Sequence, residues 1–218
     1  MVNFLAVHFG NGSGNWGHVK RIYRRSANSK WTWHRVTNSF GEFSTWYIAN
    51  WTIIKGADKL GSHRKYESFD PAKARNTLQI IERFIDWSGE NRSPQGKVNE
   101  QIQIQMQPQY DLFDVLYKSM NSITRFGRLA KFDYLCSLGK LGLIDAEPRS
   151  AYLGEATGPK DGIYDLFHLP YNRQNKNGID KYVNELSVIL DIPYAMQVIE
   201  DALCNWQKNH NIYMRYNH

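Results

Sequence analysis

The sequence predicts a mainly α-helical protein with an irregular lobe at its N-terminus. From residue 110 onward, apolar side chains recur every three or four positions, as they do on one face of a helix. Glycine and proline residues interrupt these stripes at intervals that suit short helices. Residues 1–66 lack this period and are rich in Trp, Tyr, His and Gly, so we expect an irregular N-terminal lobe that can include short strands.

Length and composition predict one compact unit with a buried core. The chain has 218 residues, of which 42% are hydrophobic and 14% aromatic, which excludes a disordered tail. We divide it into the N-terminal lobe, residues 1–66, and a helical domain, residues 67–218. The N-terminus lacks the basic lead and cleavage site of a secretion signal, and no apolar run has the length of a membrane span. We therefore expect a cytoplasmic protein that does not contact a membrane.

The charge balance favours a polyanionic partner. Lys and Arg number 27 against 21 Asp and Glu, a formal net charge of +6. In the N-terminal lobe, basic residues can contact phosphate while aromatic residues stack on bases. In an alternative interpretation, the aromatic rings pack inward and the charges are solvated. The residues concerned are Lys20, Arg21, Arg24, Arg25, Lys30 and Arg35, with Tyr23, Trp31 and Trp33.

The two cysteines and the histidines predict no metal site. Cys136 and Cys204 lie far apart and form no C-x-x-C pair, so the ligands of a zinc ribbon or an iron–sulfur cluster are missing. The seven histidines are scattered without the spacing of metal ligands. We therefore expect two buried thiols, no metal and no cofactor.

The helices are predicted in order along the helical domain. Asp70 can cap a helix, Pro71 suits its first position, and an apolar stripe continues from there to Gly89. Residues 88–109 are polar and indicate a connection, in which the alternation at 102–106 predicts a short strand. Further helices are expected over 112–120, 126–138, 149–154, after Gly162, and over about 180–190 and 194–208.

A glycine-containing segment, residues 153–163, predicts a phosphate-binding hairpin between two short helices. Free backbone N–H groups and the helix dipole at the start of the second helix form an anion site. Gly158 allows positive φ and Pro159 fixes its own φ. We expect Thr157, Gly158, Lys160 and Gly162 to contact a DNA phosphate. Asp180, twenty residues after Lys160, is placed like the N-cap of another helix.

This spacing resembles the helix–hairpin–helix DNA glycosylases. Residues 158–160 lie where those proteins have Gly-x-Lys, and Asp180 lies where they have a catalytic aspartate. The sequence departs from the pattern at Ala156, where the family has glycine, and at Gly162, where it has alanine. The resemblance implies a helix–hairpin–helix glycosylase-like fold for residues 67–218. By analogy it also implies that a monovalent cation can bind at the hairpin.

A longer set of segments is similar to the alpha-glutamyl/putrescinyl thymine pyrophosphorylase family, clade 3, and to an anti-phage DNA glycosylase related to it. These segments are residues 125–135, 138–143, 156–160 and 199–208. The resemblance implies a bulky modified base as the target. The favoured hypothesis is a DNA glycosylase that flips a base such as glucosylated hydroxymethylcytosine out of phage DNA and excises it in anti-phage defence, leaving an abasic site. The alternatives are a base-hypermodification enzyme acting on a pyrophosphorylated thymine intermediate, and a non-catalytic DNA-binding module.

The resemblance also implies roles for particular residues. Asp180 would stabilise positive charge at the sugar C1′ or orient a water molecule, and Lys160 would either contact phosphate or attack C1′ in a lyase step. Arg128, Lys131 and Asp133 would line the base pocket, unless they form a solvated charged face containing an Asp–Arg pair. The adjacent acids Glu200 and Asp201 are expected on a surface face.

Overall fold

The computed structural model describes residues 1–64, 67–105, 111–170 and 178–212, and within these ranges the protein is mainly α-helical, as predicted. The described residues contain eleven α-helices and one two-stranded sheet. The predicted helix start at Tyr110 and the end of the predicted strand at Met106 lie outside the described residues.

The N-terminal lobe combines helices with a short hairpin. Strands β1 (Arg24–Ser26) and β2 (Ser29–Lys30) pair antiparallel, which confirms that this region contains short strands. Thr32 begins the third helix by accepting a hydrogen bond from the backbone N–H of Arg35. In chain order the elements are α1 (Val2–Phe9), α2 (Gly17–Tyr23), β1 (Arg24–Ser26), β2 (Ser29–Lys30), α3 (Trp33–Asn38) and α4 (Phe40–Lys55).

The next helices begin later, or extend further, than the sequence predicts. Asp70 does not cap a helix, because its carboxylate accepts from the N–H of Ala72 within a turn, and Asn76 instead caps α5. The strand predicted at 102–106 is wrong, since α6 continues to Gln105. Its run of Gln, Glu and Lys favours a helix. These elements are α5 (Thr77–Trp87), α6 (Pro94–Gln105), α7 (Leu112–Ser119) and α8 (Arg128–Lys140).

The predicted hairpin region is more helical than expected. The short helix predicted at 149–154 is a single 3-10 turn, Leu153–Glu155. The following helix begins at Gly158, not after Gly162, because Pro159 suits the first turn of a helix. The remaining helices are α9 (Gly158–Leu166), α10 (Asp180–Leu190) and α11 (Ala195–Trp206).

One hydrophobic core joins the lobe to the helical domain. Phe4 of α1 stacks on Phe84 of α5 at a centroid distance of 3.9 Å and on Phe126 at 5.2 Å. Helix α1 packs on α8, and α9 packs along α11. These packings bring residues from distant parts of the sequence around one cavity. In the part of the chain that the structure describes, no helix has both the length and the apolarity needed to cross a membrane.

Candidate functional site

A cavity of about 350 Å³ lies where α1, α8 and α11 meet. The loop after α1 and the segment around Arg64 complete its wall. Its volume falls within the ~300–1,000 Å³ that is typical of small-molecule sites. Trp16, which is 41% exposed, contributes to the wall at the solvent side. The polar side chains of the lining belong to Asn3, His63, Arg64, Asp133, Ser137 and Gln197.

Asp133 gives this cavity a titratable group. Burial raises the pKa of its carboxyl to about 7, and nearby Glu200 raises it too, although Arg64 and Arg128 act in the opposite direction. Its Oδ2 lies 3.8 Å from Nη2 of Arg64, and its Oδ1 accepts from Nε2 of Gln197 at 3.5 Å. A carboxyl with a pKa near neutrality can donate or accept a proton under physiological conditions.

Buried and half-buried acids and arginines around Asp133 form what we call the acid–arginine cluster: Arg64, Arg128, Asp133, Glu200 and Asp201. Nη2 of Arg128 lies 2.5 Å from Oε1 of Glu200, whose side chain is 2% exposed. Burial, followed by the charges of Glu200 and Asp133, raises the pKa of Asp201 to about 8. The expectation that Glu200 and Asp201 lie on a surface face is therefore wrong. Glu200 is accommodated in the interior because Arg128 pairs with it.

Two amide side chains that line this cavity each carry a buried polar atom without a partner. Among the described residues, Nδ2 of Asn3 and Oε1 of Gln197 are buried and have no hydrogen-bond partner. The other end of Asn3 is held, because Oγ of Ser137 donates to its Oδ1 at 2.7 Å. A buried polar atom without a partner costs about 1–3 kcal/mol. A free donor and a free acceptor in the wall of one cavity therefore indicate a place for a ligand with complementary groups.

Of the three residues predicted to line a base pocket, the cavity wall contains one, Asp133. Arg128 is tied to Glu200 and also donates to the carbonyl oxygen of Ala151 at 3.1 Å. Lys131 is 7% exposed, and its Nζ donates to Oδ1 of Asn121 and lies over the ring of Tyr117. These residues are buried or half-buried, so the alternative of a solvated charged face is wrong. A role of Arg128 and Lys131 in binding a base stays a prediction.

The predicted phosphate-binding residues lie in the first turn of α9 or next to it. Thr157 is the exposed N-cap, and its side chain makes no capping hydrogen bond. Gly158 does not adopt the positive φ that glycine allows. Lys160 is only 6% exposed, so its ammonium group has to move to reach DNA. At Gly162 a Cβ atom would lie 2.8 Å from the carbonyl oxygen of Leu203, so this glycine allows α9 to pack closely against α11. Contact of these residues with DNA stays a prediction.

Asp180 is the first residue of α10, and Ile179 occupies the N-cap position that we predicted for it. Its carboxyl is partly buried, and burial raises its pKa. Among the described residues that line the cavity, Asp180 and Lys160 do not appear. The catalytic role of both residues stays a prediction.

Other residues of the site carry no signal in the sequence. Arg64 and Trp16 belong to irregular segments, and Asn3 and Gln197 are common amides on helices, so nothing in their spacing singles them out. Trp31, one of the aromatic residues considered for base stacking, is fully buried beneath the guanidinium groups of Arg25 and Arg35. Among the described residues, no three His, Cys, Asp or Glu side chains are grouped as a metal ion requires.

Comparison with known protein families gives a match that covers almost the whole chain. The model of a family described as alpha-glutamyl/putrescinyl thymine pyrophosphorylase clade 3 matches residues 2–218. No curated protein and no solved structure matches the chain.

Proposed function

Because the chain belongs to the alpha-glutamyl/putrescinyl thymine pyrophosphorylase clade 3 family, which is tied to base modification, we propose that it is a DNA glycosylase for a bulky modified base. The cavity would receive the base after its extrusion from the duplex, since a stacked base is out of reach of an enzyme. The observation that carries this proposal is the Asp133 carboxyl, which lies in the cavity wall with a pKa of about 7.

The proposed reaction is a hydrolysis in which Asp133 is the general acid. Its carboxyl proton goes to the departing base, the bond between C1′ and the base nitrogen breaks, and the bonding electrons leave with the base. The oxygen of a water molecule forms the new bond to C1′, and the proton that this water loses restores Asp133. The products are a free base and an abasic sugar. Asp180 remains the proposed carboxylate that stabilises positive charge at C1′.

The test is base release from three DNAs, which contain glucosylated hydroxymethylcytosine, hypermodified thymine or only ordinary bases. Free base is measured by mass spectrometry and abasic sites by an aldehyde-reactive probe. We expect release from one modified DNA, and an Asp133→Asn variant slowed by about 10²–10⁴-fold, the range typical of general acid catalysis. Asp86→Asn is the matched control, because Asp86 is an exposed acid on α5.

The aspartate variants separate the proposed roles. Full activity in Asp133→Asn together with loss in Asp180→Asn would transfer the catalytic role to Asp180. Full activity in both variants would reject both assignments. Absence of free base from all three DNAs, with DNA binding intact, would reject the glycosylase proposal and leave base hypermodification or a DNA-binding module.

The Arg64 guanidinium in the cavity wall favours a second candidate, base hypermodification. It lies in the wall with Asp133, and a pyrophosphorylated thymine would bring negative charge to it. In that reaction an amine forms a bond to the substituent carbon of the base and loses a proton to solvent, pyrophosphate leaves with the bonding electrons, and the base stays attached to its sugar. Measuring pyrophosphate and abasic sites in the same reaction therefore distinguishes the two candidates.

A further inference from the structure

Trp16 is an exposed aromatic residue held in an unfavourable backbone conformation at the edge of the cavity. Its φ and ψ are 56° and 32°, in the left-handed region that bulky side chains rarely occupy. The residue is 41% exposed and lines the cavity that contains Asp133. Strained residues of this kind persist only where the surrounding structure imposes the conformation, and they concentrate at ligand sites.

Neighbouring polar groups impose this conformation. Oδ1 of Asn11 accepts from the backbone N–H of Trp16, and Oδ1 of Asn15 accepts from that of Gly17 at 2.8 Å. Nδ2 of Asn15 donates to Asp58 at 3.0 Å, and Asp58 is fixed in turn by Arg21, whose Nη2 lies 2.5 Å away.

Gly17 makes this arrangement possible sterically. A Cβ atom at Gly17 would lie 1.9 Å from Oδ2 of Asp58, so only glycine allows the loop to approach that carboxylate. The indole is thus held at the cavity by a connected set of polar contacts.

The cavity therefore offers an aromatic surface together with a free donor and a free acceptor. We propose that Trp16 stacks on the face of the extruded base while Nδ2 of Asn3 and Oε1 of Gln197 bond to its polar edge. This inference rests on the proposed function and names the ligand class of its site, a planar heterocycle with an acceptor beside a donor. Every nucleobase has such an edge, so these three residues select for a base, and other contacts select its modification.

Stacking is tested by the affinity of single-stranded oligonucleotides that carry glucosylated hydroxymethylcytosine, hypermodified thymine or an abasic analogue at one position. Truncating Trp16 to alanine should weaken binding of the preferred base-containing oligonucleotide by about tenfold, as is typical of a lost base–aromatic stack. It should leave binding of the abasic oligonucleotide unchanged. Trp16→Phe should bind within about threefold of the wild type, because it keeps an aromatic face.

The control is Ile53→Ala, which truncates an apolar side chain that is 66% exposed on α4. Quenching of indole fluorescence by the preferred oligonucleotide should be smaller in Trp16→Phe than in the wild type. Equal affinities of Trp16→Ala and wild type for the base-containing oligonucleotide, with equal quenching in Trp16→Phe, would overturn the stacking role.

The edge contact is tested with Asn3→Leu and Ser137→Ala. Both variants remove the hydrogen bond between Asn3 and Ser137, but only the first removes the Asn3 amide with its unpartnered Nδ2. We expect Asn3→Leu to lose affinity for the base-containing oligonucleotide while Ser137→Ala keeps it. Equal losses in both variants would mean that the bond between them is structural, and the edge contact would be rejected.

The outcomes of these tests distinguish failure of this inference from failure of the proposed function. Normal base release by Trp16→Ala and Asn3→Leu would reject this inference and leave the glycosylase proposal standing. Stacking and edge contacts that respond as expected, without any base release by the wild type, would support this inference and reject the glycosylase proposal.

Discussion

At the scale of single residues, the acid–arginine cluster binds a proton near neutral pH. It contains three carboxyl groups and two guanidinium groups, so one bound proton makes it electrically neutral. The raised pKa values of Asp133, about 7, and Asp201, about 8, agree with one proton held between them. Because the two acids interact, their titration belongs to the pair. Asp133 can therefore be replenished with a proton from within the protein.

The raised pKa of Asp201 predicts a stability that falls as pH rises. Below about pH 4 the group is protonated in both the folded and the unfolded chain, and its contribution is constant. Between its usual pKa of 3.8 and its folded value of about 8, the unfolded chain loses the proton first, so folding becomes less favourable. Asp201→Asn, which keeps a donor for Glu200, should remove this penalty. Its Tm relative to the wild type should be on the order of 5 °C higher near pH 9 than near pH 5.

Thermal unfolding followed by circular dichroism at several pH values measures this difference. Asp86→Asn, which changes an exposed acid, is the control and should follow the wild type at each pH. A constant Tm difference between Asp201→Asn and the wild type from acid to alkaline pH would contradict the assignment of a raised pKa to Asp201.

The sequence predicts one cavity residue, Asp133, and misses its partners for a physical reason. Asp133 lies in a helix whose charges and apolar stripe are visible in the sequence. Arg64 and Trp16 reach the cavity from irregular segments, whose course depends on contacts with distant residues such as Asp58. Glu200 and Asp201 look like surface residues until Arg128 is known to lie against them.

At the scale of elements, the close packing of α9 on α11 depends on Gly162. Ala at this position would place its Cβ atom 2.8 Å from the carbonyl oxygen of Leu203, so the two helices would have to separate. We expect Gly162→Ala to lower the free energy of unfolding by about 1–3 kcal/mol, as overpacking does.

Gly41→Ala is the matched control for this substitution. Gly41 also lies in a helix, α4, and a Cβ atom there would meet nothing within 4 Å. The control should raise the free energy of unfolding by about 0.4–1 kcal/mol, because alanine restricts the unfolded chain. Urea denaturation measures both. A Gly162→Ala variant as stable as Gly41→Ala would show that α9 and α11 do not need this close approach.

Helices were predictable as elements, but their ends were not. The apolar stripes of α5, α7 and α8 repeat at helical spacing, and all three helices form. The sequence misplaces the start of α5 because Asp70 and Asn76 are both good capping residues. In the structure Asp70 closes a local turn, and Asn76 accepts from the backbone N–H of Gln79 at the start of the helix. In α6 the alternation of Ile and Gln resembles the pattern of a strand, but it covers only a few residues. The helix propensity of the neighbouring residues is therefore stronger than this pattern.

At the scale of the whole molecule, the positive charge predicts that DNA binding depends on salt. Arg24, in β1, is exposed, and within the described residues it forms no ion pair with an acid. If it contacts a phosphate, Arg24→Gln should reduce the slope of log K against log salt by about one unit. Fluorescence anisotropy with a labelled duplex, between about 50 and 200 mM salt, gives this slope.

Lys118→Gln is the control for the salt dependence. It removes an equally exposed positive charge that is already paired with Asp114 at 2.6 Å on α7. We expect its slope to equal that of the wild type. A slope unchanged by Arg24→Gln would place the DNA contact on another face of the protein.

The mainly helical class of the fold was visible in the sequence, whereas the arrangement of its elements was not. Periodicity reports which face of a helix is buried, but not which partner covers it. That α1 packs on α8, and that Phe4 meets Phe84 and Phe126, follows from contacts between residues far apart in the chain.

The hydrogen bond between Asn3 and Ser137 has a consequence for how the protein folds during its synthesis on the ribosome. The walls of the cavity come from residues as far apart as Asn3 and Gln197, so they close only after nearly all of this span has left the ribosome. A partly made chain therefore carries Trp16 and its loop but no complete cavity. Long-range closure of this kind slows folding. It also means that a nascent or prematurely terminated chain cannot carry out the reaction that we propose.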